Sequence, residues 1–267
     1  RAQNRAILNL CAKYGLKAII KDKRVKDAVA TDPLLYANLD AVIADYAAYP
    51  ALYGYHVADE PTVYTDIAVV NQYLLQKDPN HLPFINQWSA QWQQGNLPAY
   101  EQKIETYLNA VQPRLLSYDD YALFDGGTEG TYYFENLEII RRCAQRRGIP
   151  FNNIFLSVKH DNYRNPSMAD LRWQIMTTLA YGGRGVTYFT YWTILGDRPL
   201  GPSGEAVIGR DGKPTEHYQQ IYSLNREVKM LAKTLAGLHS TAVYHKGNAP
   251  TQGLPLPADH LISGISG

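Results

Sequence analysis

Residues 52–61, LYGYHVADEP, carry a short β-rich run that ends in two acidic residues and a proline. Aromatic and β-branched residues bounded by such a break are typical of a β-strand. Helical patterns lie on both sides of this run, YANLDAVIADYAAY before it and DIAVVNQYLLQ after it. The alternation predicts a βα unit, in which successive strands are parallel and the helices pack on the sheet.

Five further runs have the character of strands, and helical patterns separate them. They are KAIIKD, LPFINQW, RLLSYDDY, NIFLSVKH and GVTYFTYW, which begin at Lys17, Leu82, Arg114, Asn153 and Gly185. Six βα units are therefore predicted, and the length of 267 residues suits a single α/β domain of the (β/α)8 TIM-barrel class. If eight strands close the barrel, the first two precede Arg1. An open doubly wound sheet is the alternative, but nothing resembling GxGxxG follows any strand.

The helix ends support this division of the chain. Gly148 and Pro150 close the helix RRCAQRRG, Ser167 precedes MADLRWQ as an N-cap does, and RAQNRAILNLCAKYGL is already helical at Arg1. We expect residues 1–246 to form the barrel domain. Residues 247–267 are rich in Gly and Pro, and we expect them to be a linker or the start of a C-terminal β domain.

The composition narrows the class of partner. Twenty-six basic against 25 acidic residues leave a net charge of +1, which offers no long-range field for nucleic acid or an anionic membrane. No apolar run approaches the ~20 residues of a membrane span. Cys11 and Cys143 lie in separate helical patterns, so we expect two free thiols and no cysteine metal site. A neutral polar partner fits best, and the 12% aromatic content suits sugar rings.

Acidic, amide and aromatic side chains end almost every predicted strand. In (β/α) barrels the residues that do chemistry lie at these C-terminal ends. Carboxylates supply acid and base groups, amides bind hydroxyls, and aromatic faces stack on sugars, so the set predicts a carbohydrate site. The side chains are Asp22; Asp59 and Glu60; Asn86, Gln87 and Trp88; Asp119, Asp120 and Tyr121; Lys159, His160 and Asp161; and Tyr191 and Trp192.

Four segments resemble those of clan A glycoside hydrolases, particularly the β-galactosidase-like and β-glucanase-like barrels. They are GYHVADEPT, LLSYDDYALF, LRWQIMTTLAYGGRGVTYFTYW and VIGRDGKPTEHYQQIYSLNREV. The resemblance runs from about Lys17 to Val228, and the order of the segments is its strongest part. It implies cleavage of a glycosidic bond in a poly- or oligosaccharide, without a metal or organic cofactor. It also implies a secreted or cell-surface protein whose signal peptide would precede Arg1.

The resemblance assigns roles to individual positions. Glu60 matches the acid/base at the end of the family's fourth strand, and Trp192 matches the aromatic residue that closes the eighth. Asp59 stands where many members have Asn, and an ionised Asp accepts hydrogen bonds but cannot donate them. The family's nucleophilic Glu on the seventh strand has no counterpart in NIFLSVKHD, which begins at Asn153.

Three positions could supply the second carboxylate. Asp119 is favoured, with Asp120 as its helper, and only one of the two can face the barrel axis because successive strand residues point in opposite directions. Asp161 and Glu205 are the other candidates. In the predicted mechanism Glu60 protonates the glycosidic oxygen while the second carboxylate attacks carbon or activates water. Carboxyl groups ~5 Å apart imply retention of configuration, and ~6.5–9.5 Å implies inversion.

Several structural alternatives remain beside these functional interpretations. Glu60 could cap the helix that follows Pro61, Asp119 and Asp120 could form Asx turns, and Lys159 could form a Schiff base, although polar neighbours disfavour it. Trp88 and Trp92 are platforms for sugar or lids, and the run RRCAQRR is a solvated helix face.

The predicted substrate-binding residues are Asp59, His56, Asn86, Trp88, Tyr118, Tyr121, Lys159, Tyr191 and Trp192. A non-catalytic carbohydrate-binding barrel is the alternative function.

Overall fold

The structure is a computed structural model and describes residues 1–198, 201–202, 204–251 and 253–258. Helices and strands alternate along it, as the sequence predicts. The strands are β1 (Ala18–Ile20), β2 (Leu52–Asp59), β3 (Leu82–Gln87), β4 (Leu116–Asp120), β5 (Phe151–Leu156), β6 (Gly185–Phe189), β7 (Asp197–Arg198), β8 (Gly201–Pro202), β9 (Tyr244–His245) and β10 (Leu254–Pro255). The α-helices are α1 (Ala2–Lys13), α2 (Lys23–Lys26), α3 (Leu35–Tyr46), α4 (Thr65–Lys77), α5 (Leu97–Val111), α6 (Tyr133–Arg147), α7 (Met168–Ala180) and α8 (Glu216–Leu235).

Six strands form one sheet in the order β1-β2-β3-β4-β5-β6, which is also their order along the chain. The pairs β1/β2, β2/β3 and β5/β6 are parallel. Sequential parallel strands with a helix between neighbours are the pattern of repeated βα units. The predicted α/β class is confirmed, and so are the six predicted units.

The sequence patterns of β5 and β6 extend furthest beyond the C-terminal ends of the observed strands. β5 ends at Leu156 and β6 at Phe189, so Lys159, Tyr191 and Trp192 lie in the loops that follow rather than in the strands. Apolar and aromatic residues continue beyond the hydrogen-bonded part of each strand, and for this reason the pattern overestimates the strand length.

The chain divides into two compact units. The first unit comprises Arg1–Gln87 and Gln102–Ser117, and the second comprises Trp88–Glu101 and Tyr118–Gly267. Each unit has its own buried residues and contains part of the predicted functional residues.

In the first unit the helices bury one face each. Leu35, Leu39, Val42 and Tyr46 of α3 are all buried, and their spacing of three or four residues places them on one side of the helix. The side chain of Asn71 on α4 is also buried, where its amide donates to the carbonyl oxygen of Val111 at 2.8 Å. A buried polar group is tolerated when it is hydrogen-bonded in this way.

β2 and β3 approach each other closely because β2 contains a glycine. A Cβ atom added at Gly54 would lie 2.0 Å from the carbonyl oxygen of Leu82. That oxygen belongs to the backbone of β3 and cannot rotate away. Only glycine therefore fits at position 54 without a shift of the strand.

In the second unit the main apolar cluster joins β5, α7 and α8. Its members are completely or almost completely buried, and α7 and α8 contribute at helical spacing. They are Phe155, Leu171, Ile175, Val207, Ile221 and Leu224.

Two predicted helix ends are confirmed. The Ser167 side chain accepts the N–H of Asp170, and the Asp170 side chain accepts the N–H of Ser167, which together form a capping box at the start of α7. Gly148 ends α6 in a left-handed conformation with φ of 64°.

The prediction that RRCAQRR is a solvated face is wrong for its first residue. Arg141 is only 7% exposed, and its guanidinium binds the carboxylate of Glu138 at 2.5 and 2.8 Å. Arg142 and Arg146 both bind Glu101. These arginines of α6 therefore form ion pairs within the protein, which the run of positive charges in the sequence does not indicate.

The C-terminal segment is partly described. β10 pairs with β9, and the N–H of Thr251 donates to the Glu135 carboxylate at 3.0 Å. Residues 252 and 259–267 lie outside the described part, so the division into a domain of residues 1–246 and a segment of residues 247–267 stays a prediction.

Two further predictions can be compared with the described residues. Cys11 and Cys143 are both free, as the sequence predicts. Among the helices described, none is long and apolar enough to cross a membrane.

Candidate active site

The chain turns sharply after β2, and Glu60 is the residue at the turn. Its φ angle is 50°, and its N–H donates to the carbonyl oxygen of Asn86 at 2.9 Å. Positive φ is costly for a residue with a side chain and is concentrated at functional sites. In the described ranges four non-glycine residues have positive φ, and two of them, Glu60 and Asp161, are carboxylates after parallel strands.

A β-bulge precedes this turn. His56 lies opposite Phe84, but Ala58 lies opposite Ile85 and Asp59 opposite Asn86, so β2 contains one residue more than β3 in this stretch. Side chains of paired residues point to the same face of a sheet, and an extra residue reverses the alternation beyond it. The bulge therefore brings Asp59 to the face that carries Asn86 and His56.

The side chain of Asn86 connects two of its neighbours. Its Nδ2 donates to Oδ1 of Asp59 at 3.4 Å, and its Oδ1 accepts the Ser117 hydroxyl at 3.1 Å. Asn86 and Ser117 are buried, whereas Asp59 is exposed. A buried amide thus links the exposed carboxylate to the interior of the first unit.

His56 is half-buried on the same strand. Burial lowers the pKa of its imidazole, and the negative charge of Asp59 opposes this effect. Its Nδ1 atom is buried and has no hydrogen-bond partner among the described residues. A neutral imidazole at this position can donate or accept a hydrogen bond.

Lys103 on α5 responds to the charge of Glu60. Burial lowers the pKa of the Lys103 ammonium, and Glu60 raises it. The carboxylate of Glu60 and this ammonium are therefore close enough to interact. Neither the sequence pattern nor the strand-end rule indicated Lys103, because it lies in the middle of a helix.

Neither Glu60 nor Asp119 nor Asp120 has the structural role that the sequence left open. α4 begins at Thr65 with Tyr64 as its cap residue, so Glu60 does not cap it. Asp119 and Asp120 are the last two residues of β4 and therefore lie in a strand rather than in a loop.

Asp22, the acid at the end of β1, has a structural role. Its carboxylate caps α2 by accepting the N–H of Arg24 at 3.0 Å, and it forms an ion pair with the Arg24 guanidinium at 2.7 Å. The hydrogen bonds from Arg24 lower the pKa of Asp22 to about 2. The Asp22 carboxylate therefore stabilises the start of α2.

In the second unit, Asp119 and Asp120 are 6% and 3% exposed. Burial raises the pKa of Asp120 to about 8, and the hydroxyl of Ser89 opposes this increase. Burial raises the pKa of Tyr133 on α6, and the charge of Asp120 adds to this effect, which indicates that Asp120 lies on the side of the strand that faces this helix. Alternation along β4 then puts Asp119 on the opposite side, the side of Ser117.

Tyr118 shares the Asp120 side of β4. It is completely buried, and its ring lies 6.5 Å from that of Phe151. A sugar could not reach this ring without displacing the core of the second unit.

An aromatic cluster surrounds Tyr121, the residue after β4. The rings of His160 and Tyr163 meet its ring edge-on at 5.4 and 5.6 Å, and Phe189 lies 5.0 Å away. His160 is buried, and its Nδ1 lies 3.0 Å from the carbonyl oxygen of Val158. Edge-on contacts of this kind fix the orientation of the Tyr121 ring.

Lys159 is exposed, and its Nζ lies 3.6 Å from the Asp125 carboxylate. A Schiff-base lysine needs a desolvated, apolar pocket. The exposed position of Lys159 does not provide such a pocket.

The loops of the second unit expose several aromatic side chains. Trp92 is 61% exposed and Trp88 is half-buried, with the two rings 6.4 Å apart. The Tyr100 hydroxyl donates to the carbonyl oxygen of Trp88 at 2.9 Å. Tyr191 and Trp192, after β6, are 59% and 52% exposed. These flat surfaces are accessible to a ligand.

The described residues contain no group of three His, Cys, Asp or Glu side chains that could hold a metal ion.

The sequence did not predict two residues that connect the candidate groups, Ser117 and Tyr163. The position of Ser117, two residues before Asp119, was the signal that could have identified it, because alternation places both on one face.

No protein-family model matches the sequence, and no curated protein matches it. Solved structures do match the fold. The GH10 xylanase of Thermobacillus composti has a TM-score of 0.55 and 13% identity, over 83% of this chain and 81% of the xylanase chain. Xylanase XynB of Paenibacillus barcinonensis has a TM-score of 0.53 and 14% identity, over 80% of this chain and 79% of its own.

A third similar structure is Gas2p of Saccharomyces cerevisiae in complex with laminaritriose and laminaritetraose. Its TM-score is 0.53 at 12% identity, over 90% of this chain and 57% of the Gas2p chain. At such low identities the likeness concerns the fold. The chain therefore has the α/β fold of (β/α)8 TIM-barrel glycoside hydrolases, as its sequence predicts.

Proposed function

We propose that the protein is a glycoside hydrolase that cleaves a poly- or oligosaccharide with two carboxyl groups, one of them Glu60. The observation that carries the proposal is the left-handed backbone of Glu60 directly after a parallel strand, fixed by the carbonyl oxygen of Asn86. The strained backbone of Glu60 does not serve to begin α4, which starts only at Thr65. Catalytic residues of this barrel class stand at strand ends.

In the proposed mechanism Glu60 is the acid that protonates the glycosidic oxygen. A second carboxylate stabilises the positive charge that develops on the sugar, either by attacking carbon or by activating water.

Asp119 is the proposed second carboxylate. Its neighbour Asp120 has a pKa raised to about 8 by burial and is mostly protonated at neutral pH. A neutral carboxylic acid that faces α6 can neither attack a sugar nor stabilise a cation. Asp161, with its φ of 48°, and the exposed Glu205 remain the other candidates.

The remaining predicted residues fit supporting roles in sugar binding. Asp59, His56 and Asn86 offer groups that bind hydroxyls, and Trp88, Tyr191 and Trp192 offer accessible ring faces. Tyr121, whose ring contacts His160 and Tyr163, and Lys159, which lies in the loop after β5, are further candidates for sugar binding. Tyr118 is completely buried and is therefore not proposed to contact the sugar. A carbohydrate partner and a secreted or cell-surface location are parts of the same proposal.

A non-catalytic carbohydrate-binding barrel is the second candidate function. The observation in its favour is the absence of Glu from residues 153–161, NIFLSVKHD, where the resembling enzymes have their nucleophile. In that case the exposed aromatic residues would bind sugar, and no bond would be cleaved.

The test compares the parent protein with Glu60→Gln and Glu60→Ala on aryl glycosides and soluble polysaccharides. Loss of a general acid costs about 10²–10⁴ in rate. We expect this loss in kcat/KM for poor leaving groups and a much smaller loss for 2,4-dinitrophenyl glycosides, which leave without protonation. Glu216→Gln, an exposed site on α8, is the matched control and should match the parent.

The outcomes separate the two functions. A parent that binds oligosaccharides without cleaving them supports the binding barrel. A parent that cleaves glycosides equally well with Gln at position 60 contradicts the assignment of Glu60.

A further inference from the structure

We propose that Asn86 is the positioning residue of the corner formed by Asp59 and Glu60. This inference rests on the proposed function of that corner. Asn86 contacts both acidic residues, each through a different part of its structure. Its carbonyl oxygen accepts the N–H of Glu60, and its side-chain amide donates to the carboxylate of Asp59.

The first contact fixes the backbone. The Asn86 carbonyl oxygen accepts the N–H of Glu60 at 2.9 Å, and this bond extends the β2/β3 pairing one residue beyond Asp59. The bond holds Glu60 in its left-handed conformation at the point where the chain leaves the sheet. Because it uses main-chain atoms, substitutions at position 86 leave it in place.

The second contact orients a side chain. The Asn86 amide donates to Asp59 and accepts from Ser117, so the Ser117 hydroxyl determines which end of the amide faces the carboxylate. An exposed Asp has several side-chain orientations, and one hydrogen bond from a buried donor selects one of them. Asn86 thereby couples the direction of Asp59 to the interior of the first unit.

The charged groups around this corner constrain the pH dependence of any variant. Burial lowers the pKa of His56 and that of Lys103, and the charges of Asp59 and Glu60 respectively oppose this effect. The Asn86 amide donates to the carboxylate of Asp59 at 3.4 Å. A carboxylate introduced at position 86 would therefore face the carboxylate of Asp59.

The experiment uses Asn86→Ala, Asn86→Asp and Ser117→Ala in the full chain. Asn86→Ala removes the donor at every pH, so Asp59 loses its fixed orientation toward the sugar, and kcat/KM should fall about 10–100-fold. Asn86→Asp still accepts from Ser117 but donates only when protonated. Its deficit should be larger at pH 7 and should shrink by about 10-fold at pH 5.

Ser117→Ala leaves the Asn86 amide in place without its anchor, so we expect a loss of only a few-fold. Asn80→Asp, in an exposed turn of the first unit, is the matched control for the new charge and should match the parent at each pH. Thermal midpoints of all variants show whether a loss of activity is merely a loss of folded protein.

The outcomes distinguish this inference from the proposed function. If the parent cleaves no glycoside, or Glu60→Gln is fully active, the proposed function fails and the inference fails with it. If Glu60→Gln is inactive but both Asn86 variants match Asn80→Asp, the positioning role is overturned while the function stands. Equal deficits of Asn86→Ala and Asn86→Asp at every pH also overturn it, since they indicate only a structural role.

Discussion

At the scale of single residues, the left-handed backbone of Glu60 lowers the stability of the fold at a position that is proposed to be catalytic. A left-handed conformation costs about 1–2 kcal/mol for a residue with a Cβ atom and little for glycine. We therefore expect Glu60→Gly to be more stable than Glu60→Ala by about 1 kcal/mol, the reverse of the usual order of these residues. Urea unfolding of the two inactive variants measures the difference. Equal midpoints, or a more stable Ala variant, would mean that the corner stores no strain.

Asp120 gives a prediction about pH. Its folded pKa is raised to about 8, whereas an unfolded Asp titrates near 3.9, so unfolding releases a proton between these values. The free energy of unfolding should therefore decrease as pH rises through this window, by at most about 1.4 kcal/mol per pH unit. Asp120→Asn, which mimics the neutral acid, should remove this dependence.

The comparison is the thermal midpoint of the parent and Asp120→Asn at pH 4, 6 and 8. The two proteins should be similar at pH 4, and Asp120→Asn should be the more stable at pH 8. Asp120→Asn should also keep its glycosidase activity, whereas Asp119→Asn should lose it. Activity that depends on Asp120 and not on Asp119 would reverse the proposed assignment.

Sequence alone could place these residues at strand ends but could not choose among them. Alternation established that only one of Asp119 and Asp120 faces the axis. The choice depends on Ser89 and Tyr133, which are distant in sequence from β4 and reveal the side of Asp120 only once the chain is folded.

At the scale of elements, Gly54 links the stability of β2 to the site at its end. In Gly54→Ala the new methyl group would meet the backbone of Leu82 at 2.0 Å, and the strands would have to separate. We expect a loss of about 2–4 kcal/mol in the free energy of unfolding, or a lower yield of folded protein, since overpacking against backbone has no side chain to yield. Chemical denaturation measures it.

Gly237→Ala is the control for that substitution, because a Cβ atom there meets nothing closer than 3.8 Å. It should leave stability within about 0.5 kcal/mol of the parent. If Gly54→Ala is equally mild, β2 and β3 are less tightly apposed than the structure indicates.

The helices were easier to predict than the strand ends. The capping box at Ser167 and the left-handed Gly148 depend on neighbours within three residues, so a short sequence contains all the necessary information. The ends of β5 and β6 depend on which partner strand continues, and apolar residues beyond Leu156 and Phe189 concealed the true limits.

At the scale of the whole molecule, the order of the segments predicted the fold better than any single segment did. Alternating strands and helices leave few ways to build a parallel sheet, and the observed order β1-β2-β3-β4-β5-β6 is the simplest of them. The function depends on fewer positions. Residues 153–161 lack the expected Glu, and no periodic pattern can indicate which other acid replaces it.

The extra residue in β2 has a consequence for comparing this protein with others. Because Val57 is the extra residue, Asp59 lies three positions after His56 and still shares its face of the sheet. A strand that lacked the counterpart of Val57 would pair regularly and place its Asp on the same face, two positions after the His. Counterparts of this corner in distant homologues should therefore be matched by superposition, since an alignment that slips by one position exchanges the roles of adjacent letters.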